Sequence, residues 1–378
     1  MKLSINRPKT GYSDIKNVEL MSWSELINKN KEHISKLEET AIDLIKDKVK
    51  KFNGYIPLVP VSMGKDSMVT CYLVRKCLPD TKAIFNNTTL DCADTYLMVK
   101  KFPNCEIMSP QKGFYQYVKE DNMIPTRFAR FCCRIFKVGE LVNRLDHDIP
   151  YLMFMGMRND ESSTRSGYED EWINEKEWGK TNWQGILPIR SWSELDVWLY
   201  ILWRNIDINP KYKKGYSRVG CAISCPYYTK STWILDEYWY PKMRKRWKDI
   251  LKDDFITNSK WLTLNCTIEE YVNQAWNGGV FREEPNEEVI KEYALYNDLD
   301  EEVAKQYFNK YCENSCKSQS GKIKKIKSKE VIGMNLKYHG RNISKFYCKK
   351  CLMSMYDMDN NKWNNEIRKF KEQGCQLF

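Results

Sequence analysis

Ile56-Pro-Leu-Val-Pro-Val-Ser-Met-Gly-Lys-Asp-Ser67 holds the change of pattern that decides the fold. Its first half is a short apolar run with two prolines, and Ser62 to Ser67 is small and polar. From Met68 to Cys77 apolar residues return at helical spacing. The order predicts strand, glycine turn, helix. Such a turn points backbone N–H groups and the positive end of a helix at an anion. Gly64 permits a tight turn and the close approach of a phosphate. Ser62 and Ser67 add hydroxyl donors, Lys65 a charge, and Asp66 a contact for magnesium. The spacing is not the G-x-x-x-x-G-K-[ST] of an ordinary P-loop, and a plain helix N-cap is the other local reading.

The same alternation continues on both sides. Ala83 to Asn87 reads as a second strand, ending in polar Thr88, Thr89 and Asp91; Ala93 to Lys101 reads as a helix, followed by a short segment at Glu106 to Met108. Tyr151 to Gly156 is a further buried strand, ending at Arg158. Strands alternating with helices predict an α/β fold, an open, mainly parallel sheet with helices on both faces. Ligands of such sheets lie beyond the carboxyl ends of the strands. Ser62 to Ser67, Thr88 to Asp91 and Gly156 to Arg165 are therefore expected to face one crevice. Upstream, Met21 to Phe52 places Ile27, Ile34, Leu37, Ala41, Leu44, Ile45 and Val49 at helical spacing, as one or two amphipathic helices. The expected division is a helical segment at 1–52, the α/β domain at 53–240, a helical region at 241–311, and a cysteine-bearing unit with a tail at 312–378.

With 42% hydrophobic residues, 13 Trp, 23 Tyr and 14 Phe, the 378-residue chain can bury a sizeable core, which excludes disorder. No run approaches the roughly 18 apolar residues of a membrane helix, so no membrane partner is expected. Met1 to Pro8 lacks the apolar centre of a secretory signal, and a cytoplasmic protein is expected. There, 14 cysteines point to metal or redox chemistry before disulfides. The three histidines, His33, His147 and His339, are scattered, which excludes a histidine-rich metal site. A net charge of +11 suits a nucleotide, a sulfate ester or a nucleic acid, or serves only solubility.

Four thiolates are what an iron–sulfur cluster needs. Arg127-Phe-Ala-Arg-Phe-Cys-Cys-Arg-Ile-Phe-Lys137 and Val219-Gly-Cys-Ala-Ile-Ser-Cys-Pro226 supply Cys132, Cys133, Cys221 and Cys225. Zinc on the same thiolates, or inert buried thiols, are the other readings.

Several stretches resemble one family. Ser62 to Ser67 resembles the S-G-G-K-D-S signature of PP-loop ATP pyrophosphatases, with Met63 in place of the first glycine. The cysteines resemble the cluster ligation of iron–sulfur sulfonucleotide reductases, although the later pair is usually C-x-x-C and here is C-x-x-x-C. Gly156-Met-Arg-Asn-Asp-Glu-Ser-Ser-Thr-Arg165 resembles G-x-R-x-x-E-S-x-x-R. That likeness assigns Arg158 and Arg165 to the anionic end of a nucleotide, a role suited to bidentate guanidinium; a surface arginine pair is the alternative. Leu187 to Trp198 resembles the family's stretch before a helix, with Ser193 as N-cap and Trp192 and Trp198 as packing. Asn209-Pro-Lys-Tyr-Lys-Lys-Gly-Tyr leads into the last cysteine pair, as in the family's N-P-x-Y-x-x-G-[YF]. Leu58 to Tyr228 is thus similar to the phosphoadenylyl-sulfate reductase family of PP-loop adenine-nucleotide enzymes.

The resemblance implies three functions. The first is ATP-dependent sulfur transfer, as in DNA phosphorothioation-type sulfurtransferases: adenylylation of a nucleic-acid or nucleotide acceptor, loss of pyrophosphate, then thiolation from a sulfur donor. It gives Asp66 or Asp91 to Mg2+, Lys65 to the leaving pyrophosphate, and a 4Fe-4S cluster to the four cysteines. The second is reduction of adenylyl sulfate or its 3′-phosphorylated form by a cysteine nucleophile, with thioredoxin as partner. That nucleophile lies in an E-C-G-[LI]-H motif; Glu372-Gln-Gly-Cys-Gln-Leu-Phe378 offers Cys375 without that order or the histidine, and a tail thiol without a role is the other reading. The third is a nucleotide-binding module without turnover, which Met63 and the C-x-x-x-C spacing favour. Separately, Cys312-x3-Cys316 and Cys348-x2-Cys351, 31 residues apart, have zinc spacing and look like a treble-clef finger. With Lys322, Lys324, Lys325, Lys327 and Lys329 nearby, that unit either holds nucleic acid or stabilises a small domain.

Overall fold

The computed structural model describes residues 22–372 apart from 122, 128–129, 162–164, 174–177, 180, 222, 274–275, 277–281, 283, 309, 311, 318–324, 327 and 340–344. Cys375, Lys322, Lys324 and Lys327 lie outside the described residues. Two compact units are present: one runs to Gln116 and takes in Phe131–Pro241, the other joins Tyr117–Arg130 to the chain from Lys242 onward.

The first unit is built on six strands, β1 (Ile56–Pro60), β2 (Lys82–Asn86), β3 (Cys105–Met108), β4 (Tyr151–Phe154), β5 (Glu171–Trp172) and β6 (Trp183–Ile186). Their order is β3-β2-β1-β4-β6-β5, parallel throughout except for antiparallel β5 on β6. Successive side chains of a strand point to opposite faces, and here both faces are buried. Val59, Ala83, Phe85, Leu152, Phe154 and Ile186 enter one core; Leu58, Ile84, Met108, Tyr151, Met153 and Trp183 enter the other. The expected open α/β sheet is therefore present, with two strands the sequence pattern does not signal. Trp183-Gln-Gly-Ile186 has no alternation because all four residues are buried.

The chain leaves β1 toward β2 and β3, then returns to pair β4 on the opposite side of β1. That reversal is a topological switch point, and the residues following β1 and β4 emerge beside each other there. Helices α2 (Lys65–Cys77) and α3 (Ala93–Lys101) make the crossovers. Upstream, α1 (Trp23–Lys51) is one helix rather than two, opened by a capping box between Ser22 and Glu25.

Glu38 of α1, buried at 4% exposure, ties three helices together. Lys76 of α2 donates to it at 2.6 Å, and Tyr200 and Arg204 of the helix Glu194–Arg204 donate as well. Burial pushes the Glu38 carboxyl up, but these three donors outweigh it and hold it below its ordinary value. A carboxylate lowered in the folded state adds stability above its unfolded pKa of about 4.3 and loses it as pH falls through the folded value. Glu38→Gln is therefore expected to cost about 2 kcal/mol at pH 7. The gap to the parent protein should narrow below about pH 4, read as urea midpoints at both pH values. An equal gap at both would remove the carboxylate from this role.

In the second unit the apolar residues of charged helices meet as an aromatic core. Phe255 of the helix Pro241–Thr257 packs edge-on against Trp261 at 4.6 Å and tilted against Tyr271 at 5.2 Å. Trp261 Nε1 donates to Glu292 at 2.6 Å, and Arg282 grips Glu270 at 2.7 and 2.5 Å. Among the described residues no helix is long and apolar enough to cross a membrane.

Candidate nucleotide and thiol site

The turn after β1 closes on itself. Ser62 N–H donates to Ser67 Oγ at 3.2 Å, and that hydroxyl donates to the Gly64 carbonyl at 3.0 Å. Met63 sits at φ +57°, in the left-handed region, with its side chain fully buried in the core. Left-handed backbone costs a non-glycine residue about 1–2 kcal/mol, and burying a methionine offsets that by about 1.5–3 kcal/mol. The position thus needs a glycine's conformation, and the methionine holds it by packing.

Gly156, just beyond β4, lies against the first turn of α2. A Cβ there would stand 2.6 Å from the carbonyl carbon and oxygen of Asp66 and 2.8 Å from the Ser67 nitrogen. Two residues on, Arg158 is 4% exposed and donates to Asp66 at 2.6 Å, to Asp160 at 2.5 Å and to the Trp192 carbonyl at 3.2 Å. Lys65 Nζ lies 2.9 Å from the other Asp66 oxygen and 3.6 Å from Glu194. Asp66 is therefore clamped between two cations. An incoming phosphate competes with this carboxylate for them, and a divalent cation on Asp66 would release both.

Arg165 pairs with Glu161. Burial lowers its pKa, as do the charges of Arg218 and Arg158, while Tyr168 and Asp66 act the other way. The two arginines singled out in the sequence thus share one electrostatic neighbourhood with Asp66 and Arg218.

Asp91 has different neighbours. It is buried, accepts from Thr88 at 2.6 Å, and is pushed up by burial to about 6. The Thr88 hydrogen bond opposes the shift, the charge of Cys221 adds to it, and Lys211 and Lys137 oppose it. Asp66 stands with the phosphate loop, and Asp91 with the cysteines.

Cys132 immediately precedes a π-helical stretch, Cys133–Gly139. Such turns recur at functional sites. This one needs its glycine, since a Cβ at Gly139 would lie 2.9 Å from the Arg134 carbonyl oxygen. In the later pair, Ile223 between Cys221 and Cys225 is buried at φ +42°. A β-branched residue in that region is strained, and the C-x-x-x-C loop turns there. The thiols act on one another. Cys132 is raised first by Cys133, with burial, Cys221 and Cys225 adding. Cys221 is lowered, first by a hydrogen bond from Cys225 and, against burial, by Lys137. Lys137 is raised in turn by Cys221, Cys133 and Cys225. The four thiols and Lys137 thus share one electrostatic neighbourhood.

Residues 56–226 match the phosphoadenosine phosphosulfate reductase domain. This segment is similar to that domain. An uncharacterized protein of Methanocaldococcus jannaschii is 30% identical over 256 residues, 63% of this chain, and the chain spans 59% of that relative's length. An adenosine 5′-phosphosulfate reductase of Halalkalibacterium halodurans is 24% identical over 212 residues, 53% of this chain and 87% of its own. The crystal structure of the Candida auris phosphoadenylyl-sulfate reductase covers 50% of this chain and 94% of its own, at 18% identity and a TM-score of 0.38.

Within residues 56–226, four residues escape sequence reasoning: Tyr212, Lys137 and Glu194, which lie inside the quoted motifs, and Arg218, which lies between two of them. Tyr212 Oη accepts the Lys65 N–H at 2.9 Å. A Cβ on Gly64 would stand 3.6 Å from that hydroxyl and 3.9 Å from Val219 Cβ, so the segment leading to Cys221 runs near the turn after β1. Tyr212→Phe leaves a buried N–H without its acceptor. A loss of about 1–3 kcal/mol in the urea midpoint is expected, with weaker nucleotide binding by calorimetry; a neutral result would show that the hydroxyl does not hold the loop.

Proposed function

We propose that this protein binds ATP at Ser62 to Ser67 and transfers sulfur to a nucleic-acid or nucleotide acceptor, with a 4Fe-4S cluster on Cys132, Cys133, Cys221 and Cys225. The observation that supports the reading is the hydrogen bond from the Lys65 N–H to Tyr212, with Val219 Cβ 3.9 Å from where a Gly64 Cβ would stand, which brings the segment leading to Cys221 near the turn assigned here to the nucleotide. The net charge of +11 supports an anionic acceptor.

In this reading the loop and Lys65 hold the phosphates, Arg158 and Arg165 take the anionic end, and Asp66 turns from its cations to Mg2+. An acceptor oxygen attacks the α-phosphorus, pyrophosphate leaves, and sulfide from a donor displaces AMP. Lys65 stabilises the charge that grows on the pyrophosphate. A bound cluster would supply iron with an affinity for sulfur beside that position.

A second reading, reduction of adenylyl sulfate or its 3′-phosphorylated form with thioredoxin, is favoured by the relatives named adenosine 5′-phosphosulfate reductase. The experiment is anaerobic purification with iron and sulfide analysis, followed by two assays. Pyrophosphate release from ATP with DNA or RNA oligonucleotides and sulfide supports transfer; sulfite from adenylyl sulfate and thioredoxin, with no such release, overturns it in favour of reduction. Iron that survives Cys132→Ser with Cys221→Ser would remove the cluster from these thiols.

A further inference from the structure

A second set of four cysteines lies in the C-terminal unit and takes no part in the function above. The Sγ atoms of Cys312, Cys316, Cys348 and Cys351 all lie within 4.8 Å of one another; Cys316 and Cys351 are 3.3 Å apart and Cys312 and Cys351 3.6 Å. A disulfide would bring two sulfurs to about 2.05 Å. Four thiolates around one zinc at about 2.3 Å stand roughly 3.8 Å apart by tetrahedral geometry. A four-iron group puts each thiolate on a different iron and needs a wider opening. The spacing here is that of a single ion.

The surrounding backbone is organised for that convergence. Cys312 and Phe346 form a bridge between two segments, and Glu313 N–H donates to the Phe346 carbonyl at 2.8 Å. Cys348 N–H donates to Cys312 Sγ at 3.3 Å, a bond that favours the thiolate. Fully buried Asn335 fixes the neighbouring residue: it accepts from Tyr347 N–H at 2.8 Å and donates to the Tyr347 carbonyl at 2.9 Å. The apolar part of this core is small, with Ile326, Ile332, Leu336 and Phe346 packed beside the cysteines. Small cores of this kind are commonly closed by a structural metal.

We propose that Cys312, Cys316, Cys348 and Cys351 hold one Zn2+ as a closed tetrathiolate that stabilises the C-terminal unit. Binding replaces the four thiol protons, so that Zn2+ and four thiols give a dianionic complex and four protons in solution. All four positions are protein ligands, which leaves none open for substrate. The inference does not rest on the sulfur-transfer reading.

The test uses the full-length protein, purified anaerobically, with elemental analysis and zinc-edge X-ray absorption. About one zinc per chain with four sulfurs near 2.3 Å is expected, lost in Cys316→Ser and in Cys351→Ser and retained in Cys132→Ser. Should those serine variants fail to fold, replacement of the metal by Co2+ in the parent protein gives a second readout, the thiolate-to-metal charge-transfer bands of a tetrathiolate site. Zinc retained in both serine variants, nitrogen or oxygen ligands at the zinc edge, or disulfides among these cysteines by mass spectrometry of alkylated protein would each overturn the proposal.

Discussion

Gly156→Ala is expected to weaken binding of Mg-ATP about a hundredfold and to destabilise the protein by about 1–3 kcal/mol. The added methyl would meet the Asp66 carbonyl at 2.6 Å and the Ser67 nitrogen at 2.8 Å. Those are backbone atoms of the first turn of α2, and no flexible side chain can give way in their place. The turn itself must shift, which moves the N–H groups and Lys65 that the proposed function assigns to the phosphates. Calorimetric titration with Mg-ATP and urea unfolding read the two effects. Gly167→Ala is the control, since a Cβ there meets nothing within 4 Å. Unchanged nucleotide affinity in Gly156→Ala would mean that the nucleotide does not use this turn.

Lys65→Ala should separate chemistry from folding. Its ammonium is buried and lies between Asp66 and Glu194, while Asp66 keeps Arg158 at 2.6 Å when the lysine is gone. The folded state therefore loses one of two cations around that carboxylate. The transition state loses the charge assigned to the departing pyrophosphate, a role worth about 100- to 1000-fold in turnover for comparable electrostatic donors. The expected pattern is a turnover loss of that size in pyrophosphate release, with a thermal midpoint close to the parent's. Full activity, or a chain that no longer folds, would end the assignment.

The local sequence determined much of this protein. The helix at Ala93–Lys101, the strand at Ile56–Pro60 and the Ser193 cap follow from apolar spacing and from a polar side chain placed before a helix, which are local effects. The nearness of Cys312 to Cys316 and of Cys348 to Cys351 was legible for a related reason, since a short spacing limits where two sulfurs can go, whereas the meeting of the two pairs comes from the fold. Other features had no local signal. β6 shows no alternation because both of its faces are covered, and burial on the second face comes from segments distant in the chain.

Only the tertiary structure decided how the motifs combine. Sequence alone left Asp66 and Asp91 as equivalent candidates for magnesium. The fold gives them different surroundings: Asp66 pairs with Arg158 and Lys65, whereas Asp91 is buried, accepts from Thr88 and feels the charges of Cys221, Lys211 and Lys137. Met63, a departure from the glycine of the resembled motif, occupies the left-handed backbone that glycine would take, because the core around its side chain offsets the strain. Tyr212 is one aromatic among many in the sequence until the fold sets its hydroxyl against the Lys65 N–H, 147 residues away in the chain. Residue types and spacings constrain what a segment can do alone; which carboxylate meets which cation depends on the fold, which only the assembled core determines.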